Sequence, residues 1–187
     1  MQKIALRLLA LTGFILLAFY FGHLAQNSHF IMAIISDYGY IGIFLISILG
    51  GFNLIVPVPS IAFIPLILAA GLSFWPAVII ITLGSTIADS TSFFVGRMAK
   101  NITGDTNNRV IREFQKAEQK NKLAPILEVF LFISFAPIPA EVILVPMGYL
   151  GYRFIRVLPI IFISNMIFNT LLAFGMASLF NQIVPGI

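Results

Sequence analysis

The sequence has no cysteine and only two histidines. The first absence excludes a disulfide framework, a thiolate metal site and a cysteine nucleophile. The second leaves little to hold a metal: His23 and His29 have only Asp37 as a neighbouring carboxylate, and solvated side chains are expected there. Charge is scarce too, at 10% of residues against roughly 25% in an average soluble domain. There is no Walker loop, HExxH or GxSxG, so the usual marks of ATP-driven transport and of common protease or lipase chemistry are missing. No catalytic residues, metal or cofactor are expected, and the chain reads as a non-enzyme.

What is present is apolar. Hydrophobic residues make up 59% of the 187, phenylalanine alone accounts for 19, and mean hydropathy is +1.02. A soluble domain of this size needs far more polar surface to cover its core. An all-α, polytopic integral membrane protein of one domain is therefore expected. The net charge of +4 does not point to nucleic acid, because most basic residues lie in one loop between apolar segments. Anionic lipid headgroups are the expected partners, with protons as a second and homo-oligomerisation left open.

Between Arg7 and Arg97 the only charges are Asp37 and Asp89, whereas residues 97–122 hold ten. After them come Glu128, Glu141, Arg153 and Arg156. Residues 4–22 read as a retained transmembrane helix rather than a cleaved signal, because no convincing cleavage site follows. Residues 23–38 read as an outer connection, with 30–35 at the interface, which closes a first region at 1–38. The remainder, 39–187, reads as one transmembrane domain of two halves, 39–98 and 123–180, joined by a cytoplasmic loop at 99–122. Within that loop 109–121 could form an amphipathic surface helix.

Each half is broken early by prolines. Pro57-Val58-Pro59-Ser60 interrupts the first and Pro137-Ile138-Pro139-Ala140 the second; each proline removes a backbone donor and restrains the residue before it. The pieces that follow, 61–72 and 141–150, are short. Twelve residues of helix cover about 18 Å of a hydrocarbon core of about 30 Å. Residues 74–98 and 157–180 are long enough to span. Shifting the sequence by 80 positions superposes Pro57 on Pro137, Pro59 on Pro139, Gly71 on Gly151, Gly84 on Ser164 and Asp89 on Asn169. Such a repeat predicts an internal duplication.

Basic residues set orientation. With Lys3 and Arg7 inside, the 97–122 loop, Arg153 and Arg156 all fall on the cytoplasmic side, in what reads as a plasma (inner) membrane. The two proline-broken units then open to opposite faces. The expected architecture is an inverted repeat with two opposed re-entrant hairpins and three or more spanning helices, a transport-site arrangement.

Within it, Asp89 is the main candidate, since a carboxylate inside a spanning helix by default marks a proton, ion or substrate path. Ser85, Ser90, Thr91 and Ser92 surround it; some could line the path and others bond to preceding carbonyls. Glu141 begins the second short piece, where a helix N-terminus favours an acid. Asn169 is polar in an apolar helix at the repeat position of Asp89. Arg97, Arg153 and Arg156 serve either as topological anchors or as captors of a phosphate headgroup.

Pro57-Val58-Pro59-Ser60 with Ala70-Gly71, the helix GSTIADSTSFFVGR (84–97), and APIPAEVILVPMGYLGYRF (136–154) together resemble the DedA family, the VTT-domain or SNARE-associated-Golgi-protein-like membrane proteins. The resemblance covers about residues 39–180, with Asp89, Gly96 and Arg97 on family positions and Ala88 and Phe93 replacing its usual Gly and Tyr. It implies two opposed re-entrant hairpins, a role in membrane homeostasis, and ATP-independent movement of a phosphate-headgroup lipid, either polyprenyl phosphate or phospholipid, with Asp89 as the proton-sensitive acid. Two departures stand out. Where the family has an acid before its first hairpin and a Glu after its Pro-x-Pro-Ser, this chain has Gly51-Phe52-Asn53 and Ile61. Where it has arginines about the second hairpin, this chain has none before Arg153. A less charged pocket is implied, and the alternatives are a small-solute or ion transporter and a non-catalytic structural subunit.

Overall fold

A computed structural model describes residues 29–51, 60–103, 112, 124–136 and 138–183. The expected helix at 4–22, the prolines Pro57, Pro59 and Pro137, and the surface helix at 109–121 apart from Arg112 lie outside the described residues. Among those described there are helices and short connections and no strand: α1 (His29–Gly50), a 3₁₀ turn (Ser60–Phe63), α2 (Ile64–Ala69), α3 (Phe74–Thr103), α4 (Ala124–Phe135), α5 (Glu141–Leu150) and α6 (Phe154–Ile183). Three stretches are long and apolar enough to cross a membrane: Ala33–Gly50, Phe74–Lys100 and Phe154–Gly175.

The first of these is not straight. Gly39 sits at φ 53°, ψ −126°, a conformation reserved for glycine. The chain folds back there, so that a side chain at Gly42 would collide with the Ile34 carbonyl. Within the stretch read as an outer connection, 29–38 is helical and lies back against the arm that follows. That arm, 40–50, holds about 16 Å of helix.

The long helices α3 and α6 each carry apolar residues outward and polar ones inward. Ile79, Leu83 and Ile87 are exposed on α3, as are Ile155, Ile163 and Leu171 on α6. Thr82, Thr86, Asp89, Ser164, Asn165 and Asn169 are buried. In water this would be inside out; in hydrocarbon it is the stable arrangement. The chain is an integral membrane protein.

The ends of the short helices explain why they stop. The Gly71 N–H bonds to the Leu68 carbonyl at 2.9 Å and that of Leu72 to Ile67 at 3.2 Å. Eighty residues on, Gly151 bonds to Gly148 at 3.0 Å and Tyr152 to Met147 at 3.3 Å. Both glycines are left-handed, at φ 77° and 81°, which closes a helix by the Schellman pattern.

The core has two parts. One gathers Phe63, Ile64, Ile67, Ala77, Ile81 and Ala173; the other gathers Ile143, Leu144, Met147, Val157, Ile161 and Phe93. Each member of the first set has its counterpart 80 positions away in the second. Ring contacts follow the same rule, since Phe74 meets Phe174 at 5.2 Å and Phe154 meets Phe94 at 4.7 Å, both tilted by 44°. The start of each long helix therefore lies beside the end of the other, and α3 and α6 run antiparallel.

Candidate functional site

Helix α3 builds one wall of the site. Thr82, Thr86 and Asp89 recur at helical spacing on the face turned toward α6. The Thr86 hydroxyl donates to the Thr82 carbonyl at 2.7 Å, and Ser90, Thr91 and Ser92 likewise donate to carbonyls three or four residues back. Of Ser85, Ser90, Thr91 and Ser92, only Ser85 lines the cavity beside Asp89.

Helix α6 supplies the opposite wall through Asn165 and Asn169, one turn apart and buried. The Asn165 Nδ2 donates to Asp89 Oδ2 at 2.7 Å, with Thr86 Oγ1 at 3.5 Å. The Asn169 Nδ2 donates to Thr82 Oγ1 at 3.2 Å. Two amides thus tie the spanning helices together across a polar seam.

The seam borders a cavity of about 60 Å³, room for roughly four waters at about 15 Å³ each. Gly50, Gly51 and Ser60 reach it from the first half, and Ala136, Pro139 and Ala140 from the second. Described residues from both halves therefore border the same cavity, beside Ser85, Asp89, Asn165 and Asn169. Asp89 is the one charged side chain among the described lining residues.

Glu141 stands just behind the lining, as the first residue of α5. It is buried, and neither carboxyl oxygen has a hydrogen-bond partner among the described residues. The Asp89 and Glu141 carboxyls are close enough to interact electrostatically. Ser60 Oγ is also buried without a partner among those residues.

Close packing fixes the position of α5. A side-chain carbon at Gly148 would collide with the Phe93 carbonyl, and one at Gly96 with the Val145 carbonyl, so each helix approaches the other's backbone directly. In consequence α5 runs beside the second half of α3 and ends near Lys100, whose Nζ lies 4.0 Å from a Cβ built on Gly151. Arg97, Arg153 and Arg156 are exposed at this same end of the molecule, away from the cavity.

Asp89, Asn169 and Pro139 thus meet at the cavity with Glu141 beside them, while the arginines form a separate group. Asn165 was not anticipated; its position one turn before Asn169, in an otherwise apolar helix, is the signal that could have found it. Among the described residues no three His, Cys, Asp or Glu side chains converge.

The family model of the VTT domain matches residues 56–178, well over half of the 187-residue chain. The chain belongs to the VTT-domain family, the DedA and SNARE-associated group of membrane proteins. No curated protein and no solved structure gives a match.

Proposed function

We propose that this member of the VTT-domain family moves a phosphate-headgroup lipid, polyprenyl phosphate or phospholipid, between leaflets without ATP, with a proton route through Asp89. The observation that carries the reading is the buried carboxylate in a polar cavity, bordered by the ends of two short helical units. Family membership is consistent with membrane transport.

An inverted repeat is supported by the paired cores, the matched glycine caps and the two Phe–Phe contacts. Equivalent helices that run antiparallel are related by a two-fold axis lying across them, which for spanning helices is the membrane plane. Re-entry of the first unit is supported at both of its ends. The Tyr40 hydroxyl accepts the Ser73 N–H at 3.0 Å, so the unit starts and finishes together, while Gly51 and Ser60 share the cavity. The cytoplasmic side is assigned to the end bearing Arg97, Arg153 and Arg156, by the positive-inside rule.

A second reading, transport of an ion or small solute, is favoured by the cavity's size. About 60 Å³ holds a few waters and no lipid headgroup, so lipid passage requires the helix tips to part. Purified protein in liposomes with fluorescent phospholipid and polyprenyl-phosphate probes separates the readings. Movement of either probe above protein-free vesicles, without solute current, is the expected result; current or solute flux without lipid movement supports the second reading. Neither activity leaves a structural subunit.

A further inference from the structure

The cavity beside Asp89 is richer in oxygen than a proton route requires. Asp89 and Ser85 contribute from α3, Ser60 from the 3₁₀ turn, and Asn165 and Asn169 from α6. Both asparagines turn their Nδ2 atoms to acceptors on α3, which leaves their carbonyl oxygens as the remaining ligating atoms. Ser60 is 5% exposed, lines the cavity, and has no hydrogen-bond partner for its Oγ among the described residues. A buried hydroxyl left in this way calls for a ligand.

The electrostatics select the ligand's charge. No lysine or arginine lines the cavity among the described residues, and the neighbouring Glu141 carboxyl brings no positive charge to offset that of Asp89. A buried ionised carboxylate without a counter-charge is costly. We propose that this cavity binds a small monovalent cation, sodium, on the Asp89 carboxylate, Ser60 Oγ and the amide oxygens of Asn165 and Asn169. Hard cations take oxygen ligands. One charged side chain in the described lining matches one charge on the ion, and the described residues offer no cluster of acids or histidines of the kind a divalent or transition metal would need. The bound ion also gives the transport cycle a cation to exchange at the carboxylate, and in that respect the inference rests on the cavity being a transport site.

Binding of radioactive sodium to the purified full-length protein, in N-methylglucamine chloride at constant ionic strength, tests this without any transport. Saturable binding is expected, displaced by unlabelled sodium and not by magnesium. Asp89→Asn should abolish it, and Ser60→Ala should weaken it by about tenfold or more, as loss of a metal-site partner does. Asp37→Asn, which removes an exposed carboxylate far from the cavity, should leave it unchanged. Should D89N fail to fold, the comparison of S60A with D37N decides alone. Absence of saturable binding, equal affinities for S60A and D37N, or displacement by magnesium overturns the site. Lipid movement assayed separately in sodium-free vesicles shows which idea has failed: movement without sodium binding removes only the cation, and binding without movement removes only the lipid cargo.

Discussion

A carboxylate in a helix that crosses hydrocarbon needs a donor, and Asp89 has one in Asn165 at 2.7 Å. Replacing Asp89 by Asn keeps an oxygen for that donor and nearly the same volume, so the fold should survive while proton exchange is lost. D89N is accordingly expected to give a rate of lipid movement that no longer varies with pH, at wild-type protein yield; a wild-type pH profile would reduce Asp89 to a structural role. Asn165→Ala has the opposite signature. It leaves the carboxylate in place and buried without its donor, at a cost of about 1–3 kcal/mol, visible as earlier thermal unfolding in detergent. The contrast also shows what a lone sequence reveals. Asp89, Glu141 and Asn169 stand out because charge or amide is rare among apolar neighbours. The donor role of Asn165 depends on which face of α6 meets α3, and the ligating role of Ser60 on a hydroxyl having no local acceptor; neither is written in residue type.

Short helices cannot cross the membrane alone, so their placement depends on what grips them. Helix α5 is gripped by α3 through Gly96 and Gly148, where backbone meets backbone. Gly148→Ala should therefore cost about 3 kcal/mol, the upper end of ordinary overpacking, because the obstacle is a carbonyl and not a flexible side chain. At Gly175, where an added carbon meets nothing within 4 Å, the same change should be neutral or stabilise by up to about 1 kcal/mol. Comparing the two by thermal unfolding tests the grip, and equal effects would remove it. The natural lack of cysteine allows a second test. Applied to each face of the membrane in turn, a membrane-impermeant thiol reagent should label cysteines replacing exposed Ser73 and Arg112 from opposite sides and leave single cysteines at Ser60 and Ala140 unlabelled from either. Equal labelling would sink the hairpin reading. The lengths of 61–72 and 141–150 already pointed to short pieces, whereas the left-handed caps at Gly71 and Gly151 were legible only as matched positions of the repeat. The fold-back at Gly39 was not legible, since Tyr38-Gly39-Tyr40 has no proline and Asp37 beside it reads equally as the end of a solvated connection.

At the scale of the molecule, the two halves agree in their apolar positions and differ at the site. Phe63, Ile64 and Ile67 have apolar counterparts in Ile143, Leu144 and Met147, whereas Glu141 corresponds to buried Ile61 and Asp89 to Asn169. Packing preserves the repeat; chemistry departs from it, with one acid kept on each side. The 80-residue shift set prolines and glycines of the two halves in register, but the convergence of Gly51, Ser60 and Ala140 on one cavity needed the antiparallel contact of α3 and α6. That contact also gathers Arg97, Arg153 and Arg156 at one end, although Arg97 closes the first half and the others lie midway through the second. If they draw in the lipid's phosphate, replacing all three with Gln should slow anionic lipids more than zwitterionic ones, because a phosphate without a compensating choline or amine loses more attraction. The arginines are exposed, so raising salt from low ionic strength to 1 M, where the Debye length falls to about 3 Å, should narrow the gap between wild type and variant. Removing inner-side positive charge can also invert helices, and orientation must be read in the same vesicles, for instance from protease access to a terminal tag. In correctly oriented protein, equal slowing of every headgroup, or of none, makes these residues anchors alone and leaves headgroup choice to the cavity.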